Sequence, residues 1–343
     1  MKLPIPSLLL VPTALGAIPT PRGPTCTDIG IPVSIQADNL ALPSTLTSAN
    51  LETFINGLGG SIFDLVTNLI NGTYNIGARY CEPEVIIASR ANTIQLLVHG
   101  ITYTRDYWSG INFDGDNYSW IAYASQQGYA TLSIDRLGAG TSDHPGGIAV
   151  VQLPAQVEVT SALVQALRGG QIGSKSFREV IYVGHSYGSL IGNVHSSSYP
   201  ADIDSYVFTG YTSKVKESLN SVVLAGLFLP SAVVLPARFG GLSVSYLSAS
   251  NKNGATGLFF VARNADPDLI DKNWDTRGTV TIGEYISSYL SESVAGAYDG
   301  SVFVLTGAKD AIFCSADAVG LGTLTGHGDC GTGNNSLVAE TKE

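Results

Sequence analysis

Charge is scarce in this sequence. Asp, Glu, Lys and Arg make up 13% of the 343 residues, and 18 basic residues face 28 acidic ones, for a formal net charge of −10. So few cations argue against nucleic acid and anionic membrane surfaces as partners. Long apolar runs are also missing. The most apolar internal stretch, 222–235, is broken by Pro230 and falls short of the roughly 18 residues that a membrane-spanning helix requires. No integral membrane segment is expected. Cysteine is limited to Cys26, Cys81, Cys314 and Cys330, with no C-x-x-C spacing and one nearby histidine, His327, which leaves no pattern for a zinc site. Neither a metal nor an organic cofactor is expected.

What is present reads as a globular, exported chain. Hydrophobic residues reach 44%, with 39 Gly, and the length suits one α/β domain carrying an insertion, expected as a monomer. Residues 1–17 combine a basic start at Lys2, a short apolar stretch and the small residues Gly16 and Ala17, the pattern of a secretory signal peptide. An extracellular location with oxidised cysteines follows as an expectation. Four cysteines allow three pairings, and short loop closure favours Cys26 with Cys81 and Cys314 with Cys330. Asn71, Asn117 and Asn334 each open an N-x-S/T glycosylation acceptor.

Within 18–80 the apolar positions Leu51, Phe54, Ile55, Leu58, Phe63, Leu65 and Val66 follow a helical rhythm, and the segment reads as a helical amino-terminal extension. From residue 81 onward the pattern becomes strands alternating with helices. Segments 93–98, 130–134, 180–183, 206–208 and 302–305 read as strands, and 119–127 and 154–167 as helices. Such alternation predicts a mostly parallel sheet with helices on both faces, an α/β fold over 81–343. Between about 211 and 282 it lapses into apolar segments punctuated by Pro and Gly, read as a lid inserted after the sixth strand.

Gly184-His185-Ser186-Tyr187-Gly188 joins the strand at 180–183 to a helical pattern. A G-x-S-x-G turn of this kind lifts a serine to the carboxyl end of its strand, with glycines where backbones crowd, so Ser186 is the candidate nucleophile. In an open α/β sheet the reacting groups gather at those strand ends. The other ends carry His99-Gly100-Ile101, Asp135-Arg136 through Ser142, Thr209-Gly210-Tyr211 and Gly307-Ala308-Lys309-Asp310. In this order and spacing the motifs resemble the α/β-hydrolase superfamily, specifically its secreted fungal serine-hydrolase branch of esterase- and lipase-like enzymes, over residues 80–314.

The resemblance implies an α/β-hydrolase fold with Ser186 as nucleophile, the backbone N–H groups of Ile101 and Tyr187 as oxyanion hole, and Asp310 as the acid that orients a histidine. It gives His99 the task of shaping the oxyanion loop, gives Asp135 and Arg136 that of holding the loop after their strand by ion pairs, and turns His185 away from the nucleophile. The base departs from the family pattern. Only 33 residues follow Asp310, without a good strand or closing helix, so the carboxyl end reads as short. The one candidate base, His327, lies 17 positions after Asp310 and three before Cys330.

The leading expectation is a secreted serine hydrolase that cleaves carboxylic esters of small apolar molecules through Ser186, His327 and Asp310. Leu224, Leu227, Phe228, Leu229, Val233 and Leu235 are the lid residues available for an acyl pocket, and Tyr103, Tyr107, Trp108, Tyr118, Trp120 and Tyr123 are available to line its entrance. Both groups are more often simply core. Two alternatives stand beside this reading: a lactonase-type hydrolase of a secondary metabolite, and a catalytically impaired or truncated relative that only binds.

Overall fold

In the computed structural model, which describes residues 23–57, 66–173, 175–212, 227–291, 295–307, 310 and 312–313, the first six strands are β1 (Thr25–Leu40), β2 (Thr67–Glu82), β3 (Thr93–Val98), β4 (Ala130–Ile134), β5 (Glu179–His185) and β6 (Ser205–Thr209). Three short strands follow, β7 (Phe228–Pro230), β8 (Tyr246–Ala249) and β9 (Val280–Thr281), then β10 (Ser301–Leu305). The helices are α1 (Leu51–Gly57), α2 (Trp120–Gln126), α3 (Leu153–Arg168), α4 (Tyr187–Ser198), α5 (Ser231–Val234), α6 (Pro236–Phe239), α7 (Lys252–Phe259), α8 (Pro267–Thr276) and α9 (Ile282–Ser287).

The main sheet has the order β1-β2-β4-β3-β5-β6-β10. Its β4-β3-β5-β6-β10 part is parallel, and β1 and β2 run antiparallel at one side. Every residue of β3 is buried, as expected of a parallel strand covered on both faces. Its side chains alternate between two cores. Ile94, Leu96 and Val98 join the larger core with Leu163 of α3 and Leu190 of α4, whereas Leu97 joins Trp108, Ile121 of α2 and Val183 on the opposite face. The predicted α/β fold is therefore the one found, and the strands at 93–98 and 130–134 have the predicted bounds.

The helical reading of 18–80 is corrected. Residues Thr25–Leu40 and Thr67–Glu82 are two 16-residue strands in continuous antiparallel register, and only Leu51–Gly57 is helical. Along β1, Ile31, Val33, Ile35 and Ala37 are buried while the residues between them are exposed. This is the two-residue period of a strand with one wet face. The boundary at 80/81 also moves, because it falls inside β2, whose residues Ala78–Cys81 pair with β4. The hairpin thus belongs to the central sheet. Cys26 and Cys81 stand opposite one another in the β1–β2 register and form the disulfide favoured by the sequence; Cys314 and Cys330 lie outside the described residues, as does 1–17.

Between β6 and β10 the described part of the insertion is the antiparallel sheet β7-β8-β9 with α5–α8. It attaches to the core through backbone bonds at the carboxyl end of β3: Thr102 N–H donates to Thr279 O at 3.2 Å and Gly278 N–H donates to Thr102 O at 2.6 Å. The α9 helix, started by a Thr281/Glu284 capping box, then returns the chain to the core beside α3, where Ser287 Oγ accepts the Leu153 N–H. Among the described residues no helix is long and apolar enough to cross a membrane.

Candidate active site

One residue makes the turn from β5 into α4. Ser186 takes φ 53° and ψ −116°, a conformation that a residue with a Cβ keeps only where its surroundings enforce it. Its N–H donates to Thr209 O at 2.9 Å, and its C=O accepts from Ser189 and Leu190 N–H. The flanking glycines allow backbones to touch: a Cβ at Gly184 would lie 2.6 Å from Gly188 O, and one at Gly188 would lie 2.1 Å from Val98 O. The sequence pattern of the elbow is thus a packing requirement.

Ser186 lines a cavity of about 270 Å³ together with His185, Gly210, residues 257–261 of the insertion, Gly307, Asp310, Ile312 and Phe313. A second cavity, about 360 Å³, lies between the 103–112 segment and α8 and includes Arg238 and Lys272, but Ser186 is not in its wall. Asp310 reaches the first cavity just after β10. Its Oδ1 accepts the N–H groups of Ile312 and Phe313, each at 2.9 Å. Burial pushes its carboxyl above the usual aspartate range, with the two amide bonds pulling in the opposite direction. The structure therefore brings two of the three expected catalytic side chains to one cavity. His327 lies outside the described residues.

The loop at 99–101 abuts Ser186: a Cβ at Gly100 would sit 3.0 Å from the Ser186 Cβ. Among the described residues, neither the Ile101 nor the Tyr187 amide N–H is engaged in a hydrogen bond. His99 is fully buried. Its Nδ1 donates to Gly100 O at 2.7 Å and its Nε2 accepts the Arg136 N–H at 3.2 Å, while burial, then the adjacent Arg136 charge, hold its pKa well below the usual imidazole range. It is a neutral structural residue. Gly100 O also accepts from Arg136 Nη2 at 3.3 Å. Because that carbonyl and the Ile101 N–H share one peptide plane, fixing the first aims the second.

Asp135 and Arg136 both form ion pairs, but with partners that no local spacing announces. Asp135 pairs with Arg105 at 2.6 Å and also accepts Arg105 and Thr141 N–H. Arg136 forms a buried pair with Glu284 of α9, and its guanidinium lies 4.7 Å from the Tyr187 ring centroid. Glu284 in turn accepts from Gln156 Nε2 and from Thr281 N–H.

Two sequence readings of the pocket are corrected. His185 does not point away from the cavity but lines it, its ring stacked on Tyr107 at 4.5 Å. The insertion residues that line the cavity also differ from those expected. Leu227, Leu229 and Val233 are exposed, Phe228 is in the core, and Leu224 lies outside the described residues. Their place is taken by Leu258, Phe259, Phe260 and Val261, whose run of four apolar residues was the available signal. Of the six aromatic residues, Tyr103, Tyr107, Trp108 and Trp120 form a continuous chain of ring contacts, which Phe259 joins through Tyr103 at 6.2 Å. Tyr118 and Tyr123 are surface residues. Asn71 and Asn117 are exposed, Asn117 Nδ2 donating to Asp114, and Asn334 lies outside the described residues. No group of three or more His, Cys, Asp or Glu that could hold a metal is found among the described residues.

Comparison with known proteins adds the family. Among solved structures, the chain resembles an epoxide hydrolase from Vigna radiata (19% identity, TM-score 0.31, 48% of this chain and 44% of that one). It also resembles epoxide hydrolase A from Mycobacterium thermoresistibile (17%, 0.43, 68% and 79%). A thermophilic esterase from Thermogutta terrifontis is similar at 15% identity and a TM-score of 0.43, over 70% of this chain and 78% of that one. The chain spans less than half the length of the Vigna radiata enzyme. No curated protein matches it. The sequence profile of the alpha/beta hydrolase family matches residues 95–318, well over half of the chain and a span that holds the 99–101 loop, the elbow and Asp310, and the chain belongs to that family.

Proposed function

We propose that this hydrolase is a secreted serine enzyme that cleaves carboxylic esters of small, apolar, uncharged molecules. The observation that carries the reading is the pairing, in one cavity, of a serine on a strained elbow with a half-buried aspartate, beside two unengaged amide N–H groups. Ser186 Oγ attacks the ester carbonyl, the developing oxyanion is held by Ile101 and Tyr187 N–H, and an imidazole oriented by Asp310 takes the serine proton and returns it to the leaving alkoxide. His327 is assigned that imidazole. Water then repeats the sequence on the acyl-enzyme.

The described cavity wall, largely Leu, Phe, Ile, Val and Gly without a lysine or arginine, favours an apolar substrate over an anionic one. An elbow that carries serine also favours acyl transfer over the epoxide hydrolysis of some structural neighbours, which on this fold uses an aspartate nucleophile. Export is supported by the amino-terminal pattern and by the Cys26–Cys81 disulfide, which persists in oxidising compartments. The test is hydrolysis of short nitrophenyl esters by the full chain and by Ser186→Ala and His327→Ala. Turnover by the intact protein that both substitutions abolish supports the triad. Turnover that survives Ser186→Ala refutes it, and absence of turnover in the intact protein favours the binding-only alternative.

A further inference from the structure

The ring of His185 is held on most of its edges. One face stacks on Tyr107 with an interplanar angle of 15°. Its Cε1 edge lies close to the Gly210 backbone, where an added Cβ would come within 3.2 Å, and its Cδ2 edge faces Gly100 at ordinary contact distance, 3.5 Å from an added Cβ. Nδ1 is 3.0 Å from Thr209 Oγ1. The Thr209 hydroxyl has one hydrogen, and it goes to Gly184 O at 3.0 Å. With that hydrogen on Gly184 O, which can only accept, the lone pairs of Oγ1 face the imidazole and Nδ1 is the donor. In a neutral ring this leaves Nε2 bare. Burial lowers the His185 pKa to about 4, which keeps the ring neutral at physiological pH.

Nε2 has no hydrogen-bond partner among the described residues and is not sealed from solvent. The space that His185 borders is the Ser186 cavity. Apart from Ser186 and Asp310, the other described side chains lining that cavity are apolar or glycine. The geometry points to His185 Nε2 as a substrate-selecting hydrogen-bond acceptor: the preferred substrate carries a hydroxyl or N–H donor on an otherwise apolar skeleton, placed beside the ester that Ser186 attacks. Calling that ligand the substrate rests on the serine-hydrolase reading; the acceptor itself does not. Thr209 is a positioning residue, acting through the tautomer of His185.

The test separates the two. In full-length Ser186→Ala labelled with ¹⁵N-histidine, long-range ¹H–¹⁵N correlation is expected to show His185 as the neutral Nδ1–H tautomer. Thr209→Val is expected to convert it to the Nε2–H form usual in water. Calorimetry then compares 2-phenylethanol, which can donate, with its methyl ether, which cannot. The affinity ratio of alcohol to ether is expected to fall about fivefold in His185→Phe and in Thr209→Val, the size of one neutral hydrogen bond. An Nε2-protonated ring in the parent, a ratio unchanged by both substitutions, or failure of the alcohol to bind overturns the inference. None of these readouts requires a working nucleophile, so loss of ester turnover in the intact enzyme overturns the hydrolase reading alone.

Discussion

A carboxylate that orients an imidazole must be ionised, and Asp310 sits where ionisation is costly. Burial raises its pKa, so the folded state binds the proton more tightly than the unfolded chain does. The penalty is absent below the ordinary aspartate value of 3.8 and grows as pH rises past it towards the folded value, after which it stays constant. Asp310→Asn keeps an oxygen for the Ile312 and Phe313 amides and removes the charge. It is expected to raise the denaturation midpoint at pH 7, to lose that advantage below pH 4, and to lower kcat by about 10⁴-fold through the wrong histidine tautomer. Thermal melts across pH, together with ester turnover, check both halves. At this scale the sequence was most legible where backbone contact dictates residue type: the elbow glycines are required by contacts with Gly188 O and Val98 O, and a serine between them announces itself. His185 was not legible, because its direction is set by Tyr107 and Thr209, 78 and 24 residues away in sequence.

At the scale of elements, the oxyanion loop is held from outside its own strand. Arg136, after β4, donates to Gly100 O, covers Tyr187 and pairs with Glu284 of α9, so the return helix of the insertion is tied to the peptide that presents Ile101 N–H. Glu284→Gln leaves a guanidinium that is 1% exposed without its carboxylate, and loss of one partner of a buried pair costs about 3 kcal/mol or more. Urea denaturation should show that loss. Because the Arg136 guanidinium that donates to Gly100 O loses its charged partner while His99 Nδ1 still holds that oxygen, kcat is expected to fall on the order of tenfold with a smaller change in KM, a fraction of the roughly 10²-fold or more that deleting an oxyanion donor costs. β3 and β4, buried at every position, could be read to the residue even though Thr93, Gln95, Thr131 and Ser133 interrupt their apolar runs. β1 was hidden for a different reason. Its alternation at Ile31, Val33, Ile35 and Ala37 is clear once looked for, but the helical spacing at Leu51, Phe54 and Ile55 belongs to the short α1 and was extended over the whole segment.

For the whole molecule, the antiparallel hairpin extends a parallel sheet on one side and is closed by one covalent bond. The Cys26–Cys81 bridge spans 55 residues, and constraint of an unfolded loop of that length contributes roughly 4 kcal/mol. Cys26→Ser with Cys81→Ser is expected to lower the melting temperature markedly and to leave ester turnover intact below it, because neither sulfur approaches the cavity; turnover lost in a fully folded double variant would contradict this placement. The central claim, an activated serine in this cavity, is tested most directly by the intact mass of the full chain after exposure to a fluorophosphonate. The account predicts one adduct, mapped to Ser186, formed at a rate that Asp310→Asn lowers and absent from Ser186→Ala. An unmodified intact protein, or an adduct on any other residue, would contradict it.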